Sequence, residues 1–201
     1  MMILRSAPAS PFGRKVKIAA AVLGLSSRFT TVDADTMSET DSIRRENPLG
    51  KIPTLVLDDG TTLYDSRVIV EYLDHLAGGG QVIPAETASR FRSLTLQALA
   101  DGIMDAALLQ VYEGRWRPSD RHEPRWVNHQ AEKIARALTA LEATPPLVLT
   151  DVGAIALACA LGYLDLRFAG EWRAGHPNLL AWLDRFSIAV PAFEATALKA
   201  A

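Results

Sequence analysis

Asn47-Pro48-Leu49-Gly50-Lys51-Ile52-Pro53-Thr54-Leu55-Val56-Leu57, then Asp58-Asp59-Gly60, then Thr61-Thr62-Leu63-Tyr64-Asp65-Ser66, is the stretch on which the fold turns. Pro53 has no N–H to give a ladder, so it belongs at the start or edge of a strand. Thr54–Leu57 and Thr61–Tyr64 flank an Asp-Gly turn, a pattern that predicts a hairpin. Asp65-Ser66 closes the second strand. Behind it Ile69, Tyr72, Leu73 and Leu76 recur at helical spacing, so a helix begins near Ser66.

Upstream, Met2–Leu4 and Phe29–Val32 read as strands. Between them Val16, Ala19, Ala20 and Leu23 fall at i, i+3, i+4 and i+7 and predict an amphipathic helix. Ser10 stands near its N-cap, Pro11 near its first position and Gly24 near its stop. Lys15 and Lys17 before the apolar run Ile18–Leu25 give a superficial likeness to a secretory leader. The run is only about eight residues, however, and no small-residue cleavage site follows it, so the helix is preferred. Asp35–Arg45 is polar and weakly patterned, a short surface helix or a loop. The order β-α-β, variable connection, β-β-α describes a mixed sheet with both faces available for helices.

Downstream, Gly78-Gly79-Gly80 with Pro84 forms a linker, after which strand signals disappear. Ser89 to about Arg115 carries Leu96, Leu99, Ile103 and Ala106 on one face. Val127, Ala131, Ile134, Leu138 and Leu141 mark a second long helix, ended by Pro145-Pro146. Val152–Leu164 has no charged residue, and a helix apolar on every side should be buried. His176-Pro177-Asn178 opens a last helix. The expected organisation is an α/β domain over residues 1–78, a linker over 79–87 and an all-helical domain over 88–201.

The 201 residues carry a net charge of −2 with 22% charged and 49% hydrophobic residues, which excludes wholesale disorder and nucleic-acid binding through overall charge. One cysteine allows no internal disulfide and no zinc site built on several thiolates. A reducing, cytoplasmic setting with no nucleic-acid or membrane partner is expected.

Three places could carry chemistry. Ser10 precedes Pro11 where free N–H groups and the positive end of a helix dipole converge; it can cap the helix or donate a hydrogen bond to an anion such as a thiolate. Ile52–Pro53 is either an ordinary turn or a cis bond leaving the backbone of Ile52 free to pair an extended peptide. Asp65-Ser66 is an N-cap whose groups could instead receive a ligand's carboxylate and amine.

In this order and on these elements, Ser10-Pro11-Phe12-Gly13-Arg14-Lys15-Val16, Asn47–Pro53 and Asp65-Ser66 resemble the glutathione transferase superfamily, nearest its small bacterial serine-type members. Ala100-Asp101-Gly102-Ile103-Met104-Asp105, Cys159–Asp165 and His176–Leu179 extend the likeness over essentially the whole chain. The resemblance implies a thioredoxin-like N-terminal domain followed by a helical bundle, a homodimer, and glutathione as co-substrate with no metal. It makes Ser10 the hydroxyl that stabilises the glutathione thiolate. Ile52, before the cis Pro53, would pair the cysteinyl backbone; Lys51 would lie near the glycine carboxylate; Asp65 and Ser66 would hold the γ-glutamyl end. Phe12, Met104, Tyr112 and Trp116 would border the hydrophobic co-substrate, and Asp101 resembles an acidic residue that in some members reaches the neighbouring subunit's glutathione.

Two positions depart from the family. The buried helix opens with Asp151 but has Ala154 where the reciprocal carboxylate of a capping box would stand. The redox branches carry Cys where this chain has Ser10, so a mixed disulfide is disfavoured and attack of a glutathione thiolate on an electrophile is preferred. The alternatives are a glutathione-binding regulatory or interaction protein without turnover, and reductive or isomerising chemistry with the same thiolate. Cys159 sits among small apolar neighbours and reads as a core thiol. His122 and His129 lack a third metal ligand, and the basic stretches Arg14-Lys15-Lys17 and Arg115–Arg125 read as solvated faces.

Overall fold

A computed structural model describes residues 1–198. The N-terminal half holds β1 (Met2–Ser6), α1 (Pro11–Val22), β2 (Phe29–Asp33), the short α2 (Ile43–Glu46), β3 (Thr54–Val56), β4 (Thr62–Leu63) and α3 (Ser66–Leu76). The sheet order is β2-β1-β3-β4. β1 runs parallel to β2 and antiparallel to β3, with Leu4 opposite Leu55. The hairpin and the mixed sheet expected from the sequence are both present.

The weak patterning of Asp35–Arg45 has a physical origin. Arg5 on β1 is buried and anchors this connection by its guanidinium, donating to both oxygens of Glu46 (2.7 and 2.8 Å), to Asp41 (2.8 Å) and to the Ser42 hydroxyl. Polar bonds to one cation, rather than an apolar stripe, fold the segment, and its helix shrinks to Ile43–Glu46.

The C-terminal half is helical: α4 (Thr87–Trp116), α5 (Pro124–Ala143), α6 (Val152–Arg167), α7 (Pro177–Ala189) and a short α8 (Ala192–Ala195). α6 is the spine, packed between α4 and α1 and buried from Val152 through Leu161. Its start is capped twice: Asp151 accepts from the Ala154 N–H at 2.8 Å, and the Ser93 hydroxyl accepts from the Gly153 N–H at 3.2 Å. Gly153 is required there, because a Cβ would stand 2.6 Å from the Ser93 carbonyl oxygen of α4. By length and composition α4 is the one helix among the described residues that could cross a membrane, but its buried face packs on α6 as a core helix does.

The triple-glycine linker is held in place. Asp74, on the last turn of α3, is buried and accepts backbone N–H bonds from Gly80 (2.8 Å), Gln81 (3.0 Å) and Val82 (2.8 Å). Val152 of α6 in turn donates to the Val82 carbonyl at 2.8 Å.

One expectation needs correction. Lys15 is not on a solvated face; it is fully buried and bonds both oxygens of Asp101 on α4 at 2.7 and 2.9 Å. Arg14 beside it is half-buried against the C-terminal segment. α1 packs on α6 and α3 and also touches α4 and α8, so nearly every side of it is covered. That explains both its leader-like apolarity and its buried cation.

Candidate active site

Ser10 is the N-cap of α1, with Pro11 at the first helical position. Its Oγ accepts from the Gly13 N–H at 3.1 Å. A hydroxyl has one proton to donate and two lone pairs, so this cap leaves the proton available while fixing the oxygen. The first turn of α1 sits directly on the end of β1. A Cβ at Gly13 would displace the Ser6 hydroxyl and press on the Ser6 Cβ at 3.2 Å, so this close seating favours glycine. The helix N-terminus adds its partial positive charge at the same point.

The Asn47–Thr54 loop is built around Asn47, which is 1% exposed. Its Nδ2 donates to the Lys51 carbonyl (2.9 Å) and the Thr54 hydroxyl (3.2 Å), and its Oδ1 accepts from the Leu49 N–H (3.0 Å). The Ile52–Pro53 peptide is cis. Among the described residues the backbone N–H and C=O of Ile52 have no hydrogen-bond partner, and Lys51 is exposed beside them. This is the open edge that an extended peptide can pair.

Asp65 follows a cis peptide from Tyr64 and caps α3, accepting from the Arg67 N–H at 2.9 Å. The Arg67 guanidinium closes on the same carboxylate at 2.8 Å. Burial pushes the Asp65 carboxyl up, but the Arg67 bonds outweigh it and hold the group below the ordinary value. Ser66 is 2% exposed, with no hydrogen bond to its hydroxyl among the described residues.

Opposite these groups α4 presents Asp101 and Asp105, one helical turn apart. The field of Arg67 reaches both carboxylates, Lys15 acts on Asp65, and Lys51 acts on Asp105. Burial pushes both α4 carboxyls up, against the pull of Lys15 on Asp101 and of Lys51 on Asp105. The expected glutathione residues Lys51 and Asp65 therefore belong to a band of alternating charge between the halves. Asp101, which resembles an acidic residue that in some family members reaches the neighbouring subunit's glutathione, is bonded through both oxygens by Lys15 of its own chain. Sequence reading missed Lys15, Arg67 and Asp105. The i, i+4 spacing of Asp101 and Asp105 was the available signal.

Beside Ser10 lies a cavity of about 340 Å³. The Pro8–Pro11 turn forms one wall, Cys159, Gly162 and Tyr163 of α6 another, and Phe193 and Leu198 of the C-terminal segment a third, with Arg14 between them. The expected co-substrate residues Phe12, Met104, Tyr112 and Trp116 do not line it. Met104 is fully buried in the core and Trp116 is 63% exposed at the end of α4, because the cavity opens on α6 and the C-terminus rather than along α4. Tyr112 stands near enough to act on the Tyr163 phenol, at the cavity's edge. Cys159 is fully enclosed and burial pushes its thiol up to about 12, which makes it a poor nucleophile despite the nearby Arg14 and Lys15. No cluster of three His, Cys, Asp or Glu residues occurs among the described residues.

Comparison with known proteins fits this arrangement. Residues 4–81 match the glutathione S-transferase N-terminal domain family and residues 124–185 the C-terminal domain family. An uncharacterized GST-like protein of Escherichia coli (strain K12), YibF, is 34% identical over 87% of this chain and 88% of its own. A crystal structure of a glutathione transferase family member from Pseudomonas fluorescens Pf-5, with bound glutathione, is 43% identical, covers 100% of both chains and superposes with a TM-score of 0.92. A second Pf-5 structure, holding S-(propanoic acid)-glutathione, is also 43% identical, with a TM-score of 0.88 over 99% of this chain and 100% of that one. Matched in both halves and along nearly its whole length, the chain belongs to the glutathione transferase superfamily.

Proposed function

We propose that the protein is a glutathione transferase in which Ser10 stabilises the glutathione thiolate for attack on a hydrophobic electrophile. The observation that carries this reading is the Ser10 hydroxyl, fixed by Gly13 at a helix N-terminus with its proton free, at the wall of a cavity. The relatives that hold glutathione and an S-substituted glutathione support glutathione as the ligand. Ile52 pairs the cysteinyl backbone, Lys51 faces the glycine carboxylate, and Asp65 with Ser66 takes the γ-glutamyl end. A free thiol near pKa 8.5 brought down about two units needs roughly 2.7 kcal/mol of thiolate preference. One charge-assisted hydrogen bond of about 1.5–3 kcal/mol and a helix N-terminus of about 0.3–1 kcal/mol supply it without a general base.

Ser10→Ala tests the assignment. The ultraviolet absorbance of bound thiolate should titrate between about one and two units higher, since the helix N-terminus remains, and kcat/KM at neutral pH should fall about 10-fold, while glutathione still binds. An unchanged thiolate titration would sink the role of Ser10. Glutathione binding by the wild type with no turnover across a panel of electrophiles would leave a binding protein. We further propose a cytoplasmic homodimer, which size-exclusion chromatography with light scattering of the purified chain and fractionation of the source cells would test.

A further inference from the structure

We propose that Arg14 is a second catalytic residue, donating from Nη1 to an electrophile oxygen on which negative charge develops as the thiolate adds. The proposal rests on the transferase reading above. Arg14 follows Ser10 by one helical turn on the same face of α1, and both line the cavity. Its guanidinium is fixed on three sides. Nε donates to the Thr196 hydroxyl at 3.2 Å, Nη2 donates to the Phe193 carbonyl at 2.5 Å, and its central carbon lies 4.1 Å from the centre of the Phe193 ring. Nη1 has no hydrogen-bond partner among the described residues. It lies over Gly162 of α6, where a Cβ would come within 2.5 Å, so the buried helix carries glycine at the place where this nitrogen rests.

The charges around the cavity say which acceptor suits it. The other cavity guanidinium, Arg173, is engaged by Asp165 at 2.8 and 2.6 Å. Arg14 makes no ion pair among the described residues, and Glu194 on the same wall balances its charge at longer range. The two cations and two carboxylates of the lining cancel, so the site favours a neutral acceptor that becomes negative during reaction over a free anion. An α,β-unsaturated carbonyl compound has that property. The thiolate sulfur forms a bond to the β-carbon, the C=C π pair moves onto the carbonyl oxygen as an enolate, and water protonates the α-carbon. The thiol proton has already gone to solvent, so the sum is addition of S–H across the double bond with no leaving group. A fixed cation on the wall that Ser10 shares stabilises the charge where it develops.

The test compares an α,β-unsaturated ketone with an iodoalkane, whose charge departs on iodide instead of an oxygen, in wild type, Arg14→Met, Arg14→Lys and Thr196→Val. Arg14→Met should lower kcat with the ketone about 100-fold or more and with the iodoalkane only a few-fold, leaving the thiolate titration unchanged. Arg14→Lys should fall between. Thr196→Val removes one of the three contacts that fix the guanidinium, so its ketone-to-iodoalkane ratio should fall part of the way toward that of Arg14→Lys, with the thiolate titration unchanged. An equal loss for both electrophiles in the Arg14 variants, or a wild-type ratio in Arg14→Met, overturns the proposal and leaves the transferase reading standing. A wild type that turns over neither electrophile overturns both. If Arg14→Met does not fold, Arg14→Lys and Thr196→Val decide the matter by the same ratio.

Discussion

The Ser10 hydroxyl accepts one hydrogen bond and still has a proton to give, so helix capping and the thiolate stabilisation proposed above are compatible in one arrangement. Cys159, the chain's single thiol, shows the opposite environment close by. It has no solvent exposure, and with its pKa pushed up to about 12 the thiolate fraction at pH 8 is about one in 10⁴. The sign is fixed by burial: the folded state prefers the neutral thiol, so reactivity rises only as pH climbs toward that value. Native protein at pH 8 should therefore stay unlabelled by a chromogenic disulfide reagent, while denatured protein should release one equivalent of chromophore at once. Rapid stoichiometric labelling of the native chain would show Cys159 to be accessible. The reactive sulfur of the proposed chemistry has to arrive with glutathione.

Between elements, the Lys15–Asp101 pair is the buried charge contact that joins α1 to α4. A buried pair is costly to break from one side, because the remaining charge has lost both water and its partner. Lys15→Met should cost about 3–5 kcal/mol, whereas Lys15→Met combined with Asp101→Leu should come back close to wild type. Urea unfolding of the four corners of this cycle measures both. Burial already pushes the Asp101 carboxyl up, and with Lys15 gone nothing of comparable proximity opposes it. A carboxyl raised above its unfolded value favours folding at low pH and loses that contribution as pH rises, so the Lys15→Met deficit should shrink on acidification. A deficit that grows on acidification would count against this account. The same pair shows where sequence reading stops. Val16, Ala19, Ala20 and Leu23 announced α1 because all four are buried and recur at the helical period. Asp151 announced α6 because a cap is local. Lys15 reads as surface because its partner lies 86 positions away and nothing local reports it. Arg5, whose side-chain partners in the Asp35–Glu46 connection lie 36 to 41 positions off, hid the fold of that connection in the same way. α8 was missed because four residues are too few to show a period. At the site, the three loops were legible from their turn chemistry. The cavity wall was not, since the C-terminal segment meets Arg14 across 179 and 182 positions.

At the scale of the molecule, the two halves share a core. α6 of the helical half packs on α1 of the other, the Lys15–Asp101 pair crosses between them, and Arg14 ties α1 to the C-terminal segment. The linker that ought to hinge is fastened by Asp74 on one side and by the Val82–Val152 bond on the other. Removing either half would expose the apolar faces of α1 or α6, and the sheet of four short strands has little core of its own without them. The two halves should therefore unfold as one cooperative unit. All four tryptophans, Trp116, Trp126, Trp172 and Trp182, lie in the helical half, so their fluorescence in urea reports on that half alone. Hydrogen exchange of the β1 and β3 amides reports on the other. The two midpoints should coincide, and exchange of Leu4 and Leu55, both fully buried, should require the global opening that the tryptophans see. If the β1 and β3 amides exchange at urea concentrations where tryptophan emission is still native, the N-terminal half opens on its own. The contacts of α1 with α6 would then be a docking surface between independent units rather than a common core.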